Sequence, residues 1–201
     1  MNRLISFCAA VVLCSSAALG DEMKLPAPKT DGGPPILKAI DQRQSARGDS
    51  FPAGAVSQEE LATLLWAATG HNRDGKGWTV PTAKGVDPYC DVYVVGADGV
   101  FLYDNSKHAL SKISGEDVRK SIGMQDFVGT APFVLVFVVK DQNKSGDVLV
   151  GAMTQNVYLA SQALDIGVRY VASLKADAVR SALKLGDRDT PVSIMPIGRR
   201  N

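Results

Sequence analysis

The chain has 201 residues, with 22 Lys and Arg against 21 Asp and Glu, and a net charge of +1 at neutral pH. So even a balance argues against nucleic acid as the main partner, since that demands a basic surface. Two His and three Cys are too few ligands for a metal centre to be expected.

Residues 1–20 read as an export signal. Arg3 gives a positive start, residues 4–13 form an apolar run, and Ala18-Leu19-Gly20 has the small-x-small pattern that precedes cleavage. The run falls short of the roughly 20 residues a spanning helix needs, and Leu13 is bulky where a lipoprotein signal before Cys14 carries a small residue. A secreted or periplasmic protein beginning at Asp21, without stable membrane insertion, is the expectation. Cys8 and Cys14 leave with the signal, so Cys90 has no partner for an internal disulfide. The remaining chain of about 180 residues suffices for one domain that buries roughly 70% of its unfolded surface.

Residues 21–35, rich in Pro, Gly and Lys, predict an extended leader, and residues 36–201 a single folded domain. A short helix follows Pro34-Pro35 over residues 36–42. Ser57-Gln58-Glu59-Glu60 is a capping box, in which Ser57 and Glu60 satisfy each other's free backbone N–H groups. Leu61, Leu64, Leu65 and Ala68 then recur with helical period up to Gly70. The Gly- and Pro-broken stretch 71–88 predicts irregular chain. Residues 91–95 and 100–103, around Gly96-Ala97-Asp98-Gly99, predict a hairpin. Ser114-Gly115-Glu116-Asp117 is expected to open a short helix that ends at Gly123. Residues 132–139 are apolar and aromatic throughout and predict a buried central strand. Residues 149–167 give the longest helix. It is uncharged from Val150 to Leu164, so it should be buried nearly all round, in a core or against another subunit. A strand over 169–174, a helix over 176–184 and a strand over 192–197 complete the chain. Helices and strands mixed without regular βαβ alternation predict an α+β sandwich.

Arg43-Gln44-Ser45-Ala46-Arg47 places two guanidinium forks and a hydroxyl within one short stretch, which suits a phosphate. Alternating Arg and Ser also mark solvated turns. At the other end, Gly198-Arg199-Arg200-Asn201 follows an apolar strand directly. A frayed basic tail is the commoner outcome for such an end, but a frayed end rarely follows an apolar strand directly, and the two clusters could converge on one anion. Between them, the Gly- and Thr-rich loop from Gly77 through Pro81, Thr82, Ala83 and Lys84 permits close approach to a flat ligand, or is an ordinary loop under Trp78. His71 and His108 read as loop residues, Cys90 as a small buried hydrophobe, and the basic residues of 180–188 as a solvated helix face.

Several of these segments together resemble the nitroreductase-like flavoproteins. Arg43, Ser45 and Arg47 match an R-x-S-x-R flavin motif. Ala68-Thr69-Gly70-His71-Asn72-Arg73 with Thr79-Val80-Pro81-Thr82-Ala83-Lys84-Gly85 is similar to a stretch of the thiazoline/oxazoline dehydrogenase-like branch. The helix carrying Gly151, Gln155-Asn156 and Leu159-Ala160 resembles the family's long interface helix, and Pro196-Ile197-Gly198 its closing strand and turn. The order of these segments, more than any one of them, carries the resemblance.

The resemblance implies a nitroreductase-like sandwich, with a central, mostly antiparallel sheet flanked by helices, in an intertwined homodimer that builds each FMN site from both chains. Arg43, Gln44, Ser45 and Arg47 would hold FMN, with Arg47 near the pyrimidine edge of the ring. Pro81, Thr82, Ala83 and Lys84 would come from the partner, Tyr170, Val171, Ala172 and Ser173 would line the ring, and Arg199 or Arg200 would close on the phosphate. The chemistry would be the flavin's, with no catalytic side chain. Hydride or electrons would pass from a donor to a small organic acceptor in two half-reactions. The chain departs from the family at Trp78, Thr82-Ala83-Lys84-Gly85 and Asp87-Pro88, and the region 104–127 is short where relatives carry lid helices. These departures leave room for a flavin- or ligand-binding dimer without turnover, or for an oxidase acting on a peptide azoline.

Overall fold

The computed structural model describes residues 22–51, 54–82 and 86–200. The expected signal segment lies outside the described residues, as do Ala83 and Lys84. The leader is more than extended chain: β1 (Glu22–Lys24) pairs as an edge strand with residues 109–111. α1 (Ile36–Gln42) has the expected bounds. α2 (Gln58–Thr69) opens on the capping box, with Ser57 Oγ accepting from Glu60 N–H at 3.1 Å and Glu60 Oε2 from Ser57 N–H at 2.7 Å. The stretch 71–88 is not wholly irregular. β2 (His71–Asn72) and β3 (Gly77–Trp78) form a small hairpin, braced by the His71 ring lying 3.8 Å from that of Trp78.

β4 (Cys90–Gly96) and β5 (Gly99–Asp104) form the expected hairpin. Gly99 has φ +126°, and a Cβ there would run into the Ser114 carbonyl oxygen, so the turn requires glycine. β6 (Ala109–Ser114) corrects the helix expected to open at Ser114. Its apolar signal is thin because Lys112 is exposed and Ser111, Ile113 and Ser114 are only partly covered. The helix contracts to α3 (Arg119–Ile122), followed by a 3-10 turn over Asp126–Thr130. β7 (Phe133–Val139) and α4 (Gly146–Leu164) follow. The strand expected over 169–174 is also corrected. β8 (Ile166–Val168) is the edge strand, and beyond it Val171 makes an isolated bridge to Ile194. α5 (Ala176–Leu183) and β9 (Thr190–Arg199) close the chain.

The sheet has seven strands in the order β1-β6-β5-β4-β7-β9-β8, and every pairing is antiparallel. Side-chain alternation gives it two apolar faces. Cys90, Val92 and Val94 of β4, Leu135 and Phe137 of β7, and Met195 and Ile197 of β9 pack against α2 and α4. Tyr93, Val95, Val134, Val136 and Ile194 face α3, the 3-10 turn and α5. Covered on both sides, β7 reads in sequence as an unbroken apolar run. The result is the α+β sandwich expected, with helices on both faces of the sheet.

Three side chains read as bystanders have definite places. Cys90 is buried, and burial, with the charges of Asp91 and Asp147, pushes its thiol up to about 12. His108 bridges the Tyr103 hydroxyl at 2.8 Å and the Pro26 carbonyl at 2.9 Å, tying the leader to the β5–β6 turn. Arg180, expected on a solvated face, donates to the carbonyls of Gly186 and Asp189 and closes the turn before β9.

Candidate functional site

The site grows from the chain that leaves α1. Arg43 takes φ −56° and ψ 122°, ending the helix, and the irregular segment 43–49 passes α4 and β8. Ala46 N–H donates to Val168 O at 2.9 Å, and Ser45 Oγ lies 2.7 Å from the Tyr158 hydroxyl. Tyr158 is on the buried side of α4. Its hydroxyl accepts from Tyr170 N–H at 2.8 Å, and the Arg43 guanidinium carbon sits 4.9 Å from its ring centre. Gly167 lets the segments close up, since a Cβ there would meet Arg199 O at 3.0 Å and Ala46 Cβ at 3.3 Å.

Two cavities open around this segment. The larger, about 440 Å³, is lined by residues 43–49 and by Arg169. The smaller, about 120 Å³, shares residues 44–47 and adds Ile166, Gly167 and Arg200. Four guanidinium groups therefore stand around one loop, with the Asp49 carboxylate in the larger cavity and Asp165 3.5 Å from Arg200. The lining is net positive, the sign a phosphate needs. Basic clusters from the two ends of the domain do meet, through Arg200.

Arg199 goes elsewhere. It forms an ion pair with Glu60 and donates twice to Ala55 O, at 2.9 and 2.6 Å. Burial opposes the Glu60 charge, but hydrogen bonds from Arg199 and Ser57 prevail and hold its carboxyl below the usual range. Val171 is buried, Ala172 and Ser173 are exposed, and Ser173 Oγ accepts from Gln125 Nε2 at 2.6 Å. Pro81 and Thr82 line neither cavity. The chain leading to them is held on another side of α4, where Asn156 Nδ2 donates to Ala67 O and Thr79 O at 3.1 and 3.0 Å.

Sequence reasoning missed Arg169 and Tyr158. The sequence puts Arg169 inside a strand, and its N–H does donate to Pro196 O at 3.2 Å, but its side chain stacks over Phe127 at 4.0 Å and reaches Gly48 O at 3.3 Å. A signal for Tyr158 exists: a phenol in a charge-free helical stretch that is expected to be buried needs a polar partner.

The sequence profile of the nitroreductase family matches residues 40–199. A candidate nitroreductase from Ralstonia eutropha JMP134 is 30% identical, covers 90% of each chain and superposes with a TM-score of 0.80. An FMN-dependent nitroreductase from Clostridium difficile R20291, 16% identical over 83% of this chain and 88% of its own, has a TM-score of 0.59. The Escherichia coli microcin synthetase McbBCD complex with truncated pro-MccB17 contains a chain with a TM-score of 0.63, 18% identical over 98% of this chain and 85% of its own. These last two likenesses speak for the fold alone. No curated protein matches the sequence. Profile, fold and the 30% identity agree, and the chain belongs to the nitroreductase family.

Proposed function

We propose that the protein is an FMN-dependent oxidoreductase that passes hydride or electrons from a donor to a small organic acceptor in two half-reactions, working as an exported homodimer. The observation that carries this reading is the clamped 43–47 segment, which gathers Arg43, Ser45, Arg47, Arg169 and Arg200 around joined cavities.

The residues fit the cofactor at its anionic end, where guanidinium groups outnumber carboxylates and Gly167 permits close backbone approach. Arg43, Ser45 and Arg200 would hold the phosphate, and Arg47 and Arg169 add positive charge to the same cleft. When bound, FMN supplies the redox chemistry, taking a hydride from one substrate and giving it to the next. The chain's own part is to bind, to orient and to favour negative charge.

Support for the dimer comes from apolar surface. Ile36, Leu37 and Ile40 of α1 are 60%, 77% and 51% exposed, and Val148 of α4 75%. α1 packs on α4, where Gly151 has open space beside it. A second copy covering α1 and the exposed side of α4 would bury these side chains. Pro81 and Thr82, outside their own chain's cavities, would then be available to the partner. For an exported enzyme, where nicotinamide cofactors are scarce, a quinol, a small reductant or a partner protein would be the donor.

A specific observation favours a second reading, a dimer that binds flavin without turnover. Residues 104–127, the region where relatives carry lid helices, are committed here to β6, α3 and the start of the 3-10 turn, with Ile122 and Phe127 in the core. Anaerobic mixing of FMN-loaded protein with NADH, NADPH and a soluble quinol decides between the two. Bleaching of the flavin band by one donor, and its return with a nitroarene or quinone, supports the enzyme. Tight FMN that no donor reduces supports the binding module.

A further inference from the structure

Tyr158 sits in the stretch of α4 that carries no charge, Val150 to Leu164, and is only 6% exposed, yet its hydroxyl joins three segments. α4 carries it, Tyr170 N–H donates to it at 2.8 Å, and Ser45 Oγ lies 2.7 Å away. A phenol has one hydrogen to give and lone pairs to receive. Tyr170 N–H occupies an acceptor position, so among the described residues the acceptor for the Tyr158 hydrogen is the Ser45 oxygen. The opposite polarity, with Ser45 as donor, would leave a buried phenol hydrogen unpaired, which folded proteins avoid.

We infer that Tyr158 is a positioning residue: it donates to Ser45 and so turns the Ser45 hydrogen outward, into the two cavities that Ser45 lines, as a ready donor to a phosphate-type oxygen. Ser45 makes no other hydrogen bond among the described residues, so its hydrogen is available to a ligand. The same side chain sets a second group, because the Arg43 guanidinium rests over its ring at 4.9 Å. One aromatic residue thus aligns a hydroxyl and a cation of the same loop. The identity of the ligand rests on the flavin reading; the direction of the hydrogen bond rests on geometry alone.

The test titrates wild type, Tyr158→Phe, Ser45→Ala and the double variant with two probes, FMN and inorganic pyrophosphate. Tyr158→Phe keeps the ring under Arg43 and removes the hydroxyl. It is expected to weaken both probes about fivefold, a loss in the range of one hydrogen bond. The double variant should bind no more weakly than Ser45→Ala, because both changes remove one device. The ³¹P resonance of bound FMN should shift in Tyr158→Phe, which a purely structural role would not require. Unchanged affinity with an unmoved resonance overturns the inference, as do losses that multiply in the double variant. A second measurement does not depend on how Tyr158→Phe folds. With 3-fluorotyrosine at position 158 of the otherwise natural chain, pyrophosphate should move the ¹⁹F signal when Ser45 is present and leave it still in Ser45→Ala. A signal unmoved in both overturns the inference. Wild type that binds pyrophosphate but no FMN contradicts the flavin reading alone, and the pyrophosphate ratios then decide this one; wild type that binds neither overturns both.

Discussion

Arg199 and Glu60 form a two-pronged ion pair, Nη1 to Oε1 at 2.7 Å and Nη2 to Oε2 at 2.8 Å, that joins the last strand to the first turn of α2. Its neighbour Arg200 lines the cavity beside Ser45. Successive residues of an extended chain project to opposite sides, so adjacent arginines divide between structure and site. Arg200→Ala is expected to raise the Kd for FMN about tenfold at low salt. Arg199→Ala should leave it within about twofold while lowering the urea midpoint. Calorimetric titration of both variants checks this, and the reverse ranking would mean that the wrong arginine has been placed at the site.

Arg169 lies outside both basic motifs and yet lines the larger cavity, held by Phe127 and Gly48 O. Arg169→Gln removes its charge and keeps a long polar side chain. FMN binding should weaken about three- to tenfold and depend less on salt, as expected when one charge leaves a partly open cleft. Titrations at low and high ionic strength read both effects. Unaltered affinity would limit Arg169 to bracing the loop.

Much of this was legible in the sequence, for physical reasons that differ by element. The α2 capping box and the β4–β5 turn depend on local chemistry, and both stand where the residues placed them. β7 announced itself because it is apolar on both faces. β6 and β8 did not, since edge and near-edge strands are held by pairing that no short window of sequence records. The same gap hid half of the site. Arg43, Ser45 and Arg47 form a pattern along the chain, whereas Tyr158 reaches Ser45 across 113 positions and Arg169 reaches Gly48 across 121. The division of Arg199 from Arg200 likewise needed the partner Glu60 to be placed.

His108 predicts a pH dependence. Burial lowers its pKa from 6.5, against the opposing pull of the Pro26 carbonyl. The folded protein therefore takes up this proton less readily than the unfolded chain. The stability that the neutral ring contributes is present above the unfolded value and lost as pH falls through the folded one. The urea midpoint should drop below about pH 6.5, with a shallower slope in His108→Gln. The carboxyls of Glu60, Asp104 and Asp117 are held below their usual range and titrate at lower pH. Identical slopes in the two proteins would contradict the leader tie.

Cys90 should be inert while the protein is folded. With its thiol pushed up to about 12 and its side chain buried, almost no thiolate is present near pH 8. A disulfide reagent such as DTNB should release colour from unfolded protein in urea and essentially none from the native state. Rapid reaction of native protein would show that the β4 end opens readily.

The most direct test of the central claim is the visible absorption spectrum of the purified protein, recorded after FMN is added and free flavin is removed. The flavin reading predicts a yellow protein retaining about one FMN per subunit, with the bound form eluting as a dimer. Colourless protein that keeps no FMN, with residues 43–47 intact and the fold confirmed by circular dichroism, would contradict it.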